Sequence, residues 1–198
     1  MRYDDESGLP INNWHDTAEQ RKKLLTEIGL DGSPLPELDR LATEVSFRFA
    51  ARLGSPGEGL YSMVNLFLPR EQTFAGLHNP PGARPAPRTM PPDHGFCPEM
   101  LDRTKALVLD NVFRKPQFRS NPVVDRLGIH TYAGAPLTLG PDHTVVGSVC
   151  VVGTNPMPKE TRQTSLTLIK QARDDLLELL ARRASPGGGR HSASYRTG

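Results

Sequence analysis

Residues 60–68, LYSMVNLFL, alternate with a period of two yet are mostly apolar on both sides. Leu60, Val64, Leu66 and Leu68 share one face with Ser62, and Tyr61, Met63, Asn65 and Phe67 share the other. Apolar residues on both faces predict a central strand covered on both sides. Pro69-Arg70-Glu71 then turns the chain into a second strand through Thr73, Phe74, Ala75 and Leu77. A short strand is predicted over Ala106–Leu109, and residues 133–139 and 144–152 read as a hairpin across Gly140-Pro141-Asp142.

Elsewhere the spacing changes to that of helices. Residues 17–28 place Ala18, Leu24, Leu25 and Ile28 on one side, with Gly29 as a stop. Pro34 and Pro36 open a second helix, in which Leu38, Leu41, Val45 and Phe49 recur every three or four residues. A short helix is expected over 94–103. A long one is expected over 159–183, with Leu166, Ile169, Leu176, Leu177 and Leu180 inward. Between them, NPPGARPAPRTMPP (residues 79–92) excludes helix and central strand and reads as a stiff exposed loop. The expected fold is α+β, an antiparallel sheet flanked by terminal helices on one face and by loops and short helices on the other. Residues 1–16 read as a flexible segment in which Trp14 is a packing anchor, 17–183 as one domain, and 184–198 as a disordered basic tail.

Composition narrows the classes. A hydrophobic share of 36% supports one core, and its shortfall is explained by 19 Pro and 18 Gly. A domain of about 165 residues buries roughly 70% of its unfolded surface and needs no staples. The net charge is +2, but the last 17 residues carry Arg182, Arg183, Arg190 and Arg196 and no acid, which leaves −2 for the rest. The body therefore offers no broad cationic face for nucleic acid. An acidic N-terminus without an apolar core excludes a signal peptide, and no apolar run reaches membrane-spanning length. Two cysteines, Cys97 and Cys150, fit free thiols in a reducing cytosol better than a disulfide scaffold. A cytoplasmic location follows as an expectation.

Few residues stand out chemically. His94 and Cys97 offer two metal ligands, but no second pair stands at matching spacing, so no metal is expected. His78, His94, His130 and His143 show no context for haem. Arg114, Lys115 and Arg119 cluster before Asn121-Pro122, most simply as a solvated loop, and no glycine-rich phosphate loop or nucleophile elbow is present. Cys150 lies in an apolar strand, where a thiol is usually inert. Cys97, at the start of a short helix, is the better reactive candidate.

Phe96-Cys97, Leu107-Val108-Leu109-Asp110, Phe118 with Asn121-Pro122, Tyr132 to Leu137, and Val146 to Val151, taken in this order, resemble the GAF domain family over roughly residues 20–182. The likeness is to bacterial GAF domains found alone or fused to histidine kinases and nucleotide cyclases. The chain departs from the family at Lys115-Pro116-Gln117-Phe118, where an acidic-x-Arg-Phe stretch is common, and at His130-Thr131-Tyr132, where Arg-Phe-Tyr is common. The resemblance implies a GAF-like fold and a cavity walled by Met63, Asn65, Phe74, Phe96, Cys97, Phe118, Tyr132, Gly134 and Val149. It implies a stand-alone regulatory module that binds a small-molecule ligand or a signalling protein, without catalysis, its cofactor unknown, and pairs as a homodimer through its terminal helices. Two alternatives stand beside it. One is a thiol redox enzyme using Cys97, as the free methionine sulfoxide reductases use cysteines on this fold, although their cysteine cluster is missing here. The other is a structural dimerisation module with an empty pocket.

Overall fold

The apolar run at Leu60–Phe67 forms strand β3, and its two-sided character is matched by its place in the sheet. β3 lies between β4 (Gln72–His78) and β8 (Thr144–Gly153), antiparallel to both. The computed structural model describes residues 2–3, 10–11, 14–53 and 60–184. Arg2–Tyr3 (β1) and Pro10–Ile11 (β2) pair as a separate two-stranded ribbon. The main sheet has the order β5-β4-β3-β8-β7-β6, with β5 Thr89–Met90, β6 Leu107–Leu109 and β7 Thr131–Leu139. All its pairings are antiparallel. β5 is the departure from the expected loop. Thr89 and Met90, the pair of residues between Arg88 and Pro91, add an edge to β4, a position that tolerates nearby prolines.

Three helices cover one face: α1 (Ala18–Glu27), α2 (Pro36–Leu53) and α5 (Arg162–Ala184). Leu25 from α1, Leu38, Val45 and Phe49 from α2, and Ile169, Leu176 and Leu180 from α5 pack on Val64, Leu66, Ala135, Leu137 and Val149 of the sheet. α2 crosses β4 so closely that a Cβ on Gly76 would lie 2.4 Å from the Leu38 carbonyl oxygen. On α5 the inward set shifts from the expected one. Leu168 is buried, whereas Leu166, Leu177 and Leu179 are half-buried at the margin of the core. Arg48 of α2 pairs with Asp175 of α5 at 2.7 Å, and Arg183 pairs with Glu37.

α1 is anchored by a residue of unexpected type. Arg21 is fully buried, donating from Nε to the Phe67 carbonyl at 3.1 Å and from Nη2 to the Trp14 carbonyl at 2.5 Å. Its guanidinium lies 5.1 Å from the Trp14 ring centroid, and burial lowers its pKa to about 10, which leaves it a cation at neutral pH.

The opposite face is covered by the 79–96 loop, the 3-10 turn Cys97–Asp102, α3 (Pro116–Arg119) and α4 (Pro122–Leu127). The loop is clamped rather than loose. Arg88 donates twice to Asp39 at 2.8 and 2.9 Å, and Asp39 also accepts from the Leu77 amide. No described helix is long and apolar enough to cross a membrane. The expected tail from residue 185 onward, and most of the expected N-terminal segment, lie outside the described residues, while Trp14 is buried.

Candidate functional site

Strand register decides what meets on the loop-covered face. Met63 pairs with Cys150, Asn65 with Ser148, and Gly134 with Cys150. Asn121 Oδ1 accepts from the Gly95 amide while Asn121 Nδ2 donates to the Gly95 carbonyl, which pins the start of α4 to the turn that delivers Phe96 and Cys97. The Cys97–Asp102 turn then lays Cys97 over β8. The Cys97 and Cys150 sulfurs lie 3.4 Å apart, both buried. The Tyr132 hydroxyl donates to Cys97 Sγ at 3.7 Å, and Cys150 Sγ lies 3.7 Å from the Met63 thioether.

Gly134 makes this arrangement possible. A Cβ there would lie 2.0 Å from the Tyr132 hydroxyl oxygen, so only a glycine leaves room for the phenol beside the cysteines. The Tyr132 ring also packs on Phe96, 5.4 Å between centroids, and Phe96 meets Phe118 edge-on at 5.8 Å.

The two thiols are not equivalent. Hydrogen bonding with Cys150, helped by the side-chain hydrogen bonds of Ser148, Asn65 and Tyr132, outweighs burial and draws Cys97 down to about 7. Cys150 is pushed up, first by that same hydrogen bond and then by burial. Burial likewise raises Tyr132. The proton of the pair is thus more easily lost from Cys97 than from Cys150. Around it, Asn65 Nδ2 donates to Gln72 Oε1 at 2.7 Å, and Gln72 Nε2 donates to the carbonyls of Pro91 and His94. Asn65 and Ser148 are fully buried, and their side chains turn toward the Cys97 sulfur.

These groups border a chamber of ≈ 30 Å³, lined by Met63, Gln72, Phe74, Phe96, Cys97, Tyr132 and Cys150 among others. That volume suits about one water, not an organic ligand. Outside it lies a groove of ≈ 510 Å³ between the proline-rich loop and α4, bordered by Arg84, Pro87, Pro91, His94 and Arg126. Met90, Val123 and Leu127 border both spaces and form the wall between them.

Of the expected cavity residues, Met63, Phe74, Phe96, Cys97 and Tyr132 line the chamber. Asn65 stands behind Gln72, Phe118 one ring behind Phe96, and Gly134 beneath the Tyr132 hydroxyl. Val149 is a correction: it faces the helices, packed with Val64 and Ile169, and its neighbour Cys150 takes the cavity position. Adjacent strand residues face opposite sides, so an error of one residue moves a side chain through the sheet. Cys97, a lone reactive candidate in its own stretch of sequence, meets Cys150 across 53 positions of the chain. Gln72, Met90, Val123 and Leu127 were not anticipated. Arg114 of the basic cluster is paired with Asp110 at 2.5 Å. Among the described residues, no group of three or more His, Cys, Asp or Glu is placed to hold a metal ion.

The sequence matches the GAF domain family over residues 39–185, most of the chain. The protein belongs to the GAF domain family. No curated protein sequence matches it. Among solved structures, a far-red cyanobacteriochrome photoreceptor is 13% identical, with a TM-score of 0.51 over 82% of this chain and 98% of that one. The nlh2 GAF domain of A. aeolicus, in an inactive state, is 16% identical, with a TM-score of 0.50 over 87% and 97%. The fRMsr of Staphylococcus aureus, in complex with substrate, is 12% identical, with a TM-score of 0.44 over 85% and 98%. At these identities the likeness is one of fold. It agrees with the six-stranded antiparallel sheet and its helices, and members of the GAF family typically serve as sensory or regulatory ligand-binding domains.

Proposed function

We propose that this GAF domain is a non-catalytic regulatory module that binds a small polar organic molecule between the sheet and the 79–127 cover, and signals to a cytoplasmic partner protein. The observation that carries the reading is the pair of fully buried polar side chains, Asn65 and Ser148, set against the Cys97 sulfur beside the chamber. Polar side chains cost free energy to bury, and a few of them placed in an apolar setting are what orients a small-molecule ligand. Access is the second support. The outer groove has the volume of a small-molecule site, and one of the three side chains walling it from the chamber is Met90, an unbranched, adaptable group. Movement of Met90 and α4 would join the two spaces, with Gln72 and Tyr132 as further polar contacts.

Pairing of two copies through α5 belongs to the same reading. Leu166, Leu177 and Leu179, three of the six leucines of α5, remain half-buried there as an apolar strip. Native mass spectrometry of the purified protein tests both parts. The expected result is a dimer carrying a small-molecule mass that is lost in Leu127→Arg. Bare polypeptide, together with no thermal shift across a panel of small metabolites, would sink the ligand reading. A clean monomer at micromolar concentration would sink the dimer.

A further inference from the structure

We propose that Cys97 and Cys150 form a reversible intramolecular disulfide, so that the chamber is an oxidative modification site operated by hydrogen peroxide. This goes beyond the regulatory reading and does not require the chamber to hold a ligand. The two sulfurs are already 3.4 Å apart, on segments separated by 53 positions in the chain. Bond formation needs them to approach to about 2.05 Å. Cys97 heads a short 3-10 turn rather than lying in the sheet, so it is the partner free to move, while Cys150 is fixed between β3 and β7. The order of attack follows from exposure. Cys97 is 6% exposed and Cys150 fully buried, so an oxidant meets Cys97 first.

The chemistry balances without another reagent. The Cys97 thiolate attacks one peroxide oxygen, the O–O bond breaks, and hydroxide leaves and is protonated to water. Cys97 is then a sulfenic acid, oxidised by two electrons. The Cys150 sulfur attacks the Cys97 sulfur, the S–S bond forms, the S–O bond breaks, and hydroxide departs with the Cys150 proton as a second water. Two thiols and one peroxide give one disulfide and two waters. The bond ties the Cys97–Asp102 turn to β8 across the chamber floor and closes a long loop, which raises resistance to unfolding.

The reduced full-length protein, treated with equimolar hydrogen peroxide under native conditions, tests this. The expected product has lost the mass of two hydrogen atoms, has no titratable thiol, melts at a higher temperature, and reverts with dithiothreitol. Cys150→Ser, or Cys150→Ala if the serine variant folds poorly, is expected to stop at a sulfenic acid on Cys97 that dimedone traps. Cys97→Ser is expected to leave the Cys150 thiol intact. The proposal is overturned if the native wild type keeps both thiols, if the disulfide joins two chains on a non-reducing gel, or if Cys97 proceeds to sulfinic acid without bonding Cys150. None of these readouts involves a bound ligand, so the outcome is independent of the ligand-binding result.

Discussion

The two faces of the sheet are built from different materials. Against the helices the packed core is aliphatic apart from Phe49. Against the loops it is aromatic and sulfurous, with Trp14, Tyr61, Phe74, Phe96, Phe118 and Tyr132 around Met63, Met100, Cys97 and Cys150. The helical face is closed by long regular elements whose backbone bonds are internal. The loop face is closed by short pieces held by side chains, among them Asn121, Gln72 and the Asp39–Arg88 pair. One face can therefore supply stability while the other keeps polar groups, thiols and a small void. That division puts the chemistry where moving a cover disturbs the fewest core contacts.

The contrast is broken most forcefully from the helical side. Leu176 is fully buried on α5, and Leu176→Ala leaves a cavity that long helices cannot collapse to fill. A loss of about 2–5 kcal/mol is expected in urea unfolding. The folded fraction should still form the Cys97–Cys150 disulfide at the wild-type rate. A slowed reaction would show that the two faces are energetically one. On the loop side, Gly134→Ala drives a methyl group into the Tyr132 hydroxyl, and the ring is fully buried and packed on Phe96. Overpacking of this kind costs roughly 1–3 kcal/mol. An unchanged unfolding midpoint would mean that the phenol is free to move.

The sequence made the helical face far more legible than the loop face. Leu38, Leu41, Val45 and Phe49 announce their side by local spacing alone, and β3 declares itself central because both of its faces are apolar. The hairpin was legible too, but its phase was not. The run Val149-Cys150-Val151-Val152 is apolar throughout, so nothing in it says which residues look toward the helices, and Val149 is assigned to the cavity in place of Cys150. The thiol pair was hidden for another reason. Its members are brought together by the register of β3, β7 and β8 and by the Asn121 clamp on Gly95, neither of which leaves a local pattern. Arg21 runs against composition, because a buried arginine satisfied by carbonyls and an indole ring looks like a surface residue in the sequence.

A smaller effect tests how firmly the loop cover is clamped. Partial burial would raise the Asp39 carboxyl, but the Arg88 hydrogen bonds, the Leu77 amide and the Arg88 charge outweigh it and hold the carboxyl below its unfolded value. Its contribution is therefore present above the ordinary carboxylate range and is lost as pH falls through the lowered value. The side chains of Asp39 and Arg88 are 35% and 38% exposed, so solvent screening limits the pair to about 0.2–1 kcal/mol. Asp39→Asn should lower the urea midpoint at pH 7 by that little, and the gap from wild type should narrow well below about pH 4. A gap that widens in acid would contradict the sign.

The smallest expected change carries the opposite sign. Ser148 Oγ is buried in β8 with the Cys97 sulfur, a weak hydrogen-bonding group, as its partner, so the folded protein recovers little of its desolvation. Ser148→Ala removes that group and leaves a methyl side chain that fits the same space. Stability should stay level or rise, by no more than about 1 kcal/mol. A surface serine, or one strongly hydrogen-bonded inside the fold, would show a loss instead. If the hydroxyl exists to meet a ligand, the same substitution should weaken retention of the co-purifying small molecule while the unfolding midpoint holds or climbs. Stability and binding moving in opposite directions at one atom would separate a site kept for recognition from a mere packing defect. A destabilised variant would show that Ser148 is strongly bonded within the fold and remove the main support for placing the ligand there.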